Sequence, residues 1–204
     1  MIKNVIFDYG QTMIQYKPHL MADKYIEDDA DRELIYKVVF DRLYWDALDD
    51  GSVTDEEIVE DCKRRLPERL HSIIPKMYYN WVYNLPEMPG MYELVADVRA
   101  KYGMRTFLLS NISSYFAEHS RDLPEMNLFE RCFFSAEMGV IKPNREIFDR
   151  VLSECGILPD ETLFVDDSEK NIKGAEAVGI HGYLFDGDAD KLRKYVEELS
   201  EGKK

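Results

Sequence analysis

The sequence is short of positive charge, short of cysteine, and without any long apolar run. It sets 26 Lys and Arg against 40 Asp and Glu, a formal net charge of −14 and a pI near 4.7. Such a surface is a poor partner for nucleic acid, whose phosphates need a basic face to displace their counterions. It is equally unsuited to the anionic face of a membrane. No apolar stretch approaches the roughly 20 residues of a transmembrane helix. Cys62, Cys132 and Cys155 are odd in number, widely spaced and without a CxxC pair. Neither a disulfide framework nor a zinc site is expected from them, and three thiols in a reducing cytoplasm is the simplest reading. His19, His71, His119 and His181 lie far apart with no ligand spacing, and they receive no role. The start, Met1-Ile2-Lys3-Asn4-Val5, runs into a strand-like pattern with no signal-peptide h-region. What is present, 45% hydrophobic residues over 204 positions, suffices for a packed core in one domain or in one domain carrying an insert. The expectation is an acidic, globular, cytoplasmic protein.

Short apolar runs give the fold class. Val5-Ile6-Phe7 ends at Asp8, Thr106-Phe107-Leu108-Leu109 at Ser110-Asn111, and Leu163-Phe164-Val165 at Asp166-Asp167. Continuous runs of this length suit strands buried on both faces of a parallel sheet. Shorter strand candidates lie at 131–134 and 181–185. Helical periodicity separates them, over 91–101 (Leu94, Val95, Val98), over 144–155 (Ile147, Phe148, Val151, Leu152), and from Asn171 to Ala177 before Gly179. Alternating strands and helices predict an α/β fold, a Rossmann-like parallel sheet sandwiched by helices.

Residues 16–86 break that rhythm. They carry only helical patterns, such as Leu34, Ile35, Val38 and Val39, then a capping box of Thr54 and Glu57 ahead of Ile58, Val59 and Cys62. An α-helical cap at 16–86 is expected, inserted into a core formed by 1–15 and 87–204, with a charged tail at 200–204. The aromatics of this segment, Tyr16, Tyr44, Trp45, Tyr78, Tyr79, Trp81 and Tyr83, read at helical spacing more as core than as a sugar-stacking platform.

The chemistry gathers where the apolar runs stop. Asp8, Ser110-Asn111 and Asp166-Asp167 each follow a strand pattern directly, and open α/β sheets bind their ligands at the carboxyl ends of their strands. One acid after a strand is usually a turn or cap residue. Three polar clusters at three strand ends are harder to dismiss.

Phe7-Asp8-Tyr9-Gly10-Gln11-Thr12-Met13, Leu109-Ser110-Asn111, Lys142-Pro143 and Phe164-Val165-Asp166-Asp167-Ser168 with Asn171 resemble, in order, the four motifs of the haloacid dehalogenase-like hydrolases. The helical insert between the first two resembles the small cap of that superfamily's first structural subfamily. Trp45-Asp46-Ala47-Leu48-Asp49-Asp50-Gly51 and Thr54-Asp55-Glu56-Glu57 further resemble the bacterial sugar-phosphatase branch acting on α-D-glucose 1-phosphate. The resemblance implies Asp8 as the nucleophile, Lys142 as the cation beside it, and Ser110 and Asn111 as donors to the substrate phosphate. It implies Mg²⁺ held by Asp8, the Gly10 carbonyl and Asp167, with Asp166 acting through water. Asn171 would steady Asp167 or its loop, or cap the following helix.

The chemistry agrees with these roles. A carboxylate attacking phosphorus forms an aspartyl-phosphate and divides one difficult step into two. A phosphate dianion cannot approach three carboxylates unaided, and a hard dication with oxygen ligands removes the repulsion. One departure stands out. Most phosphatases of the superfamily carry a second aspartate two residues after the nucleophile as general acid and base, and here that residue is Gly10. Glycine does no acid–base chemistry, so steep dependence on the leaving group is expected, with sugar 1-phosphates and aryl phosphates preferred. The function expected is a Mg²⁺-dependent phosphatase of a small phosphorylated metabolite. Its rivals are a silent or slow binding protein, a metal-free 2-haloacid dehalogenase and a phosphomutase.

Overall fold

Four consecutive buried residues, Asn4–Phe7, form the first strand, β1, of the computed structural model, which describes residues 1–202. Four further strands pair with it in one parallel sheet: β2 (Arg105–Ser110), β3 (Arg131–Phe134), β4 (Thr162–Asp166) and β5 (His181–Leu184), in the order β3-β2-β1-β4-β5. The chain builds outward from β1 through β2 to β3, then returns to β1's other side with β4. The topological switch point therefore lies between β1 and β4, where such sheets open a crevice for ligands.

The period of two along each strand sends alternate side chains to opposite faces. Val5, Phe7, Leu108, Leu163 and Val165 meet α6 (Met91–Ala100), α7 (Ser114–Ser120) and α11 (Ala189–Ser200) on one face. Ile6, Phe107, Leu109, Phe133 and Phe164 meet α9 (Arg145–Cys155) and α10 (Glu169–Glu176) on the other. A one-turn helix, α8 (Ser135–Met138), follows β3 directly. Each large aliphatic or aromatic side chain buried in these layers contributes roughly 1.5–3 kcal/mol, which is why the runs at the centre of the sheet carry no polar alternation.

Between β1 and α6 lie helices alone: α1 (Pro18–Tyr25), α2 (Asp29–Val39), α3 (Trp45–Asp49), α4 (Asp55–Arg65) and α5 (Ile74–Asn80), with two short 3-10 turns. They share a third apolar cluster, separate from the two beside the sheet, built on Met21, Ile35, Ile58, Val59, Cys62, Ile74 and Met77. The capping box forms: the Glu57 N–H donates to Thr54 Oγ1 (3.2 Å) and the Thr54 N–H donates to Glu57 Oε2 (2.8 Å). The chain enters and leaves this layer along one path. The Gln15 N–H donates to the Pro86 carbonyl (2.8 Å) and the Met88 N–H to the Met13 carbonyl (2.9 Å), a two-stranded stem at the sheet's carboxyl edge.

The boundaries differ from the sequence reading in detail. α10 begins at Glu169, ahead of Asn171, so that residue is not a cap but lies in the first turn. The helical period of Leu192, Val196 and Leu199, left unassigned above, builds α11, and this helix occupies Ser200 at the head of the expected tail. Residues 203–204 of that tail lie outside the described residues. Among the described residues, no helix is long and apolar enough to cross a membrane.

Candidate active site

Register alone brings the first two acids together. Phe7 pairs with Val165 across β1 and β4 and with Leu108 across β1 and β2. One residue further on, Asp8 stands level with Asp166 on one side and Leu109 on the other. The Asp8 N–H donates to the Val165 carbonyl at 2.9 Å and continues the ladder to the sheet's edge.

Lys142 closes the group from the loop before α9. It is 2% exposed, and its three ammonium protons have three acceptors: Asp8 Oδ1 at 2.5 Å, Asp166 Oδ2 at 2.8 Å and the Leu109 carbonyl at 3.0 Å. Burial works against its charge, but Asp166 and Asp8 outweigh that and hold its pKa above the ordinary lysine value. Lys142 is thus a permanent cation. Burial raises the Asp8 carboxyl to about 7, with Asp166 and Asp167 adding to the rise and Lys142 opposing it. Asp167, turned out into the cavity, is also raised, first by desolvation and then by Asp166.

Asn111 holds the lysine in place. Its Nδ2 donates to the Lys142 carbonyl (3.0 Å) and its Oδ1 accepts from the Lys142 N–H (2.8 Å), a reciprocal pair that fixes the loop's backbone. Sequence reasoning gave Asn111 only a backbone donor role, because nothing in the local pattern shows that residue 142 returns beside it. Ser110 is buried, and among the described residues its hydroxyl makes only a long 3.5 Å contact to the next carbonyl. Asn171 donates to both oxygens of Asp166 (3.1 and 3.0 Å), not to Asp167, and the Ser168 N–H adds a third bond at 2.8 Å. With Lys142, these donors saturate Asp166.

Oxygens of Asp8, Asp166 and Asp167 lie within 4.8 Å of one another. Three carboxylates against one ammonium leave excess negative charge on hard oxygen donors, a set that fits a small dication. Asp167 is the exposed member of the three. Asp8, Gly10, Ser110, Asn111, Lys142 and Asp167 all open onto one cavity of about 400 Å³, roofed by the helical layer. Of the cap aromatics, Tyr16, Tyr44, Trp45, Tyr78 and Trp81 line it, so the core reading of those side chains was incomplete. Tyr16 packs edge-on against Trp45 (5.3 Å) and Trp81 (5.9 Å). Arg42 stacks on Trp45 at 4.3 Å, in the left-handed region at φ 61°. Asp49, on the roof, is raised to about 7 by burial first and then by Asp46. No sequence pattern puts Arg42 or Asp49 on the wall of the cavity that Asp8 opens onto, since tertiary packing alone places them there.

Residues 2–179 match the family model of the haloacid dehalogenase-like hydrolases. A D-ribitol-5-phosphate phosphatase from Bacteroides thetaiotaomicron is 24% identical over 93% of this chain and 95% of its own. A sesquiterpene phosphatase from Aspergillus oryzae is 25% identical over 95% and 96% of the two chains. Among solved structures, a haloacid dehalogenase family enzyme from Bacteroides thetaiotaomicron, an aspartate-to-alanine variant with magnesium and inorganic phosphate, matches with a TM-score of 0.71. It is 23% identical and covers 94% of this chain and 99% of that one, a likeness of fold. The chain belongs to the haloacid dehalogenase-like hydrolases, as its four motifs imply, and its Rossmann-like parallel sheet with inserted helices is the fold of that family.

Proposed function

We propose that the protein is a Mg²⁺-dependent phosphatase, which removes the phosphoryl group of a small phosphorylated metabolite through an aspartyl-phosphate on Asp8. One observation carries this reading. A buried carboxylate at the end of the central strand is held by Lys142 beside two further carboxylates, and Ser110 faces the same cavity. The full-length curated relatives, both named as phosphatases, support it.

The substrate phosphate would seat against the Ser110 hydroxyl, the Asn111 N–H and the Lys142 ammonium. An Asp8 oxygen attacks phosphorus, and the bond to the leaving oxygen breaks. Water then attacks the phosphorus of the acyl phosphate and frees Asp8. Mg²⁺ would be held by Asp8, the Gly10 carbonyl and Asp167, with the saturated Asp166 behind them, and when bound it neutralises the charge of carboxylates and phosphate. A metal-free dehalogenase has no use for such an acidic excess.

The helical segment 16–86 would act as a cap over the core, 1–15 and 87–204, and keep bulk water from the reaction. A cavity of about 400 Å³ suits a small metabolite. The finer reading is a sugar phosphate, supported by the aromatic wall of Tyr16, Trp45 and Trp81, by the cap segment 45–57, and by the relative named for D-ribitol 5-phosphate.

The test is turnover of a panel of phosphate esters with and without Mg²⁺, alongside Asp8→Asn. The variant should fold and lose essentially all activity and phosphoenzyme. A folded Asp8→Asn with near-native turnover would refute the covalent mechanism.

A further inference from the structure

The reaction proposed above needs a proton donor for the leaving oxygen, and the nucleophile loop has none. Sterics do not impose the glycine, because a Cβ built on Gly10 meets nothing within 4 Å. The space where an acid would stand is open, so the proton has to come from elsewhere on the cavity wall.

Five aspartates line the cavity: Asp8, Asp41, Asp46, Asp49 and Asp167. Asp8 and Asp167 have roles already. Asp41 is ion-paired with Arg65, and Asp46 is exposed. Asp49 is half-buried, and among the described residues its carboxyl is acted on by burial and by charges but by no hydrogen bond. It is the last residue of α3, and its backbone is tied to the core. The Ser135 hydroxyl donates to the Asp49 carbonyl at 2.5 Å, and Ser135 Oγ in turn accepts from the Ile112 N–H at 2.9 Å. Ile112 is two residues beyond Ser110, so one hydroxyl joins Asp49 to the phosphate-binding loop. Gly51 reinforces the joint, lying so close to α8 that a Cβ would come within 2.9 Å of the Ala136 carbonyl. Asp49 is thus a cap residue held in fixed relation to the core's strand ends.

We infer that Asp49 is the general acid and base of the reaction, working from the roof of the cavity in place of a side chain at Gly10. In the first half-reaction an Asp8 oxygen bonds to phosphorus, and the electron pair of the broken P–O bond goes to the leaving oxygen. That oxygen takes the Asp49 proton. In the second half, the Asp49 carboxylate takes a proton from water as the water oxygen bonds to phosphorus. The pair of the Asp8–phosphorus bond returns to Asp8, phosphate leaves, and both residues are restored. Asp49 faces Asp46 and Asp50 of its own segment, Asp55 of α4, Tyr16, and Lys142 of the core. Burial and the acidic neighbours raise its carboxyl to about 7 against the pull of Lys142, so near neutrality both of its protonation states are populated.

This inference rests on the phosphatase reading and changes one of its expectations: the parent should depend only weakly on leaving-group acidity. The experiment compares kcat/KM of parent and Asp49→Asn across phosphates graded from alkyl to nitrophenyl, with Mg²⁺ present. Asp49→Asn should lose about 10²–10⁴-fold with alkyl phosphates and under tenfold with nitrophenyl phosphate, so the slope steepens. The parent's loss of kcat/KM as pH rises through about 7 should be most marked with alkyl phosphates and disappear in the variant. Adding Gly10→Asp to Asp49→Asn should flatten the slope again. An equal loss on every leaving group would make Asp49 structural and overturn the inference while leaving the phosphatase reading intact. No turnover of any ester by the parent would overturn both.

Discussion

Replacing Lys142 with Met tests whether the site is held together by charge. Met keeps most of the volume and removes the charge with all three hydrogen bonds. It strands Asp8, whose side chain is 9% exposed, and Asp166, at 1%, together with the Leu109 carbonyl. Removing one member of a buried ionic group costs roughly 3–5 kcal/mol. For a chain of this size about 1 kcal/mol corresponds to 2–4 °C, so the melting temperature should fall by roughly 6–20 °C. The pH dependence identifies the source. With Lys142 gone, the folded-state pKa of Asp8 rises further above its unfolded value, so the penalty is full at alkaline pH and fades as pH falls through the folded value. Lys142 itself, raised in the folded state, contributes constantly below the ordinary lysine pKa and adds no slope between pH 5 and 8. Thermal melts of parent and variant at pH 8 and pH 5.5, with chelator to exclude divalent cations, should show a deficit that is large at pH 8 and smaller at pH 5.5. A variant within 1 kcal/mol of the parent at pH 8 would mean that the triad does not hold the site. An equal deficit at both values would mean that the stranded carboxylates are not the cause.

Two further outcomes follow from the geometry. Mg²⁺ at a hundredfold excess over its Kd should stabilise the parent by about 2.7 kcal/mol, and Asp167→Asn should diminish that shift while slightly raising the melting temperature without Mg²⁺, because burial and Asp166 disfavour the Asp167 charge in the fold. Asp166→Asn should instead lower the melting temperature without metal, because it removes a charged partner of Lys142; the reverse pattern would exchange the two assignments. Gly51→Ala, which puts a side chain at φ 78° and 2.9 Å from the Ala136 carbonyl, should destabilise by roughly 1–3 kcal/mol, read by denaturant midpoint. A neutral result would mean that the joint between α3 and α8 is loose.

The sheet was legible because its determinants are local. Runs such as Val5-Ile6-Phe7 and Leu163-Phe164-Val165 are apolar on both faces only because helices cover both, and each stops where the chain reaches the crevice. The thirds of the site that ride on strand ends, Asp8, Ser110 and Asp166-Asp167, were visible for the same reason. Lys142 was visible only through family resemblance, since a lysine before a proline reads as an ordinary loop residue. The side-chain pairing of Asn111 with Lys142 and the turning of Asn171 onto Asp166 were illegible. Both depend on which backbone returns beside which, and no periodicity encodes that.

The helical layer between β1 and α6 shows where such reading stops and why. Its helices follow from amphipathic pattern and the Thr54–Glu57 box, but for an aromatic at helical spacing a core and a cavity satisfy the same local logic. Tyr16 and Trp81 do both: they pack on neighbouring rings and also wall the site. Asp49 is the sharper case. In sequence it is one of several acids in an acidic helix, and only the Ser135 hydroxyl and the close approach of Gly51 to Ala136 make it a neighbour of the loop after β2. The missing acid at Gly10 is a local fact, while its replacement depends on how two layers dock. Residues at the strand ends are placed by the register of the sheet, whereas Asp49 is placed by the docking of the helical layer that also walls the cavity. The acid–base role inferred for Asp49 therefore requires that α3 rest on Ser135, which makes the Ser135 hydroxyl as necessary to it as the carboxyl itself.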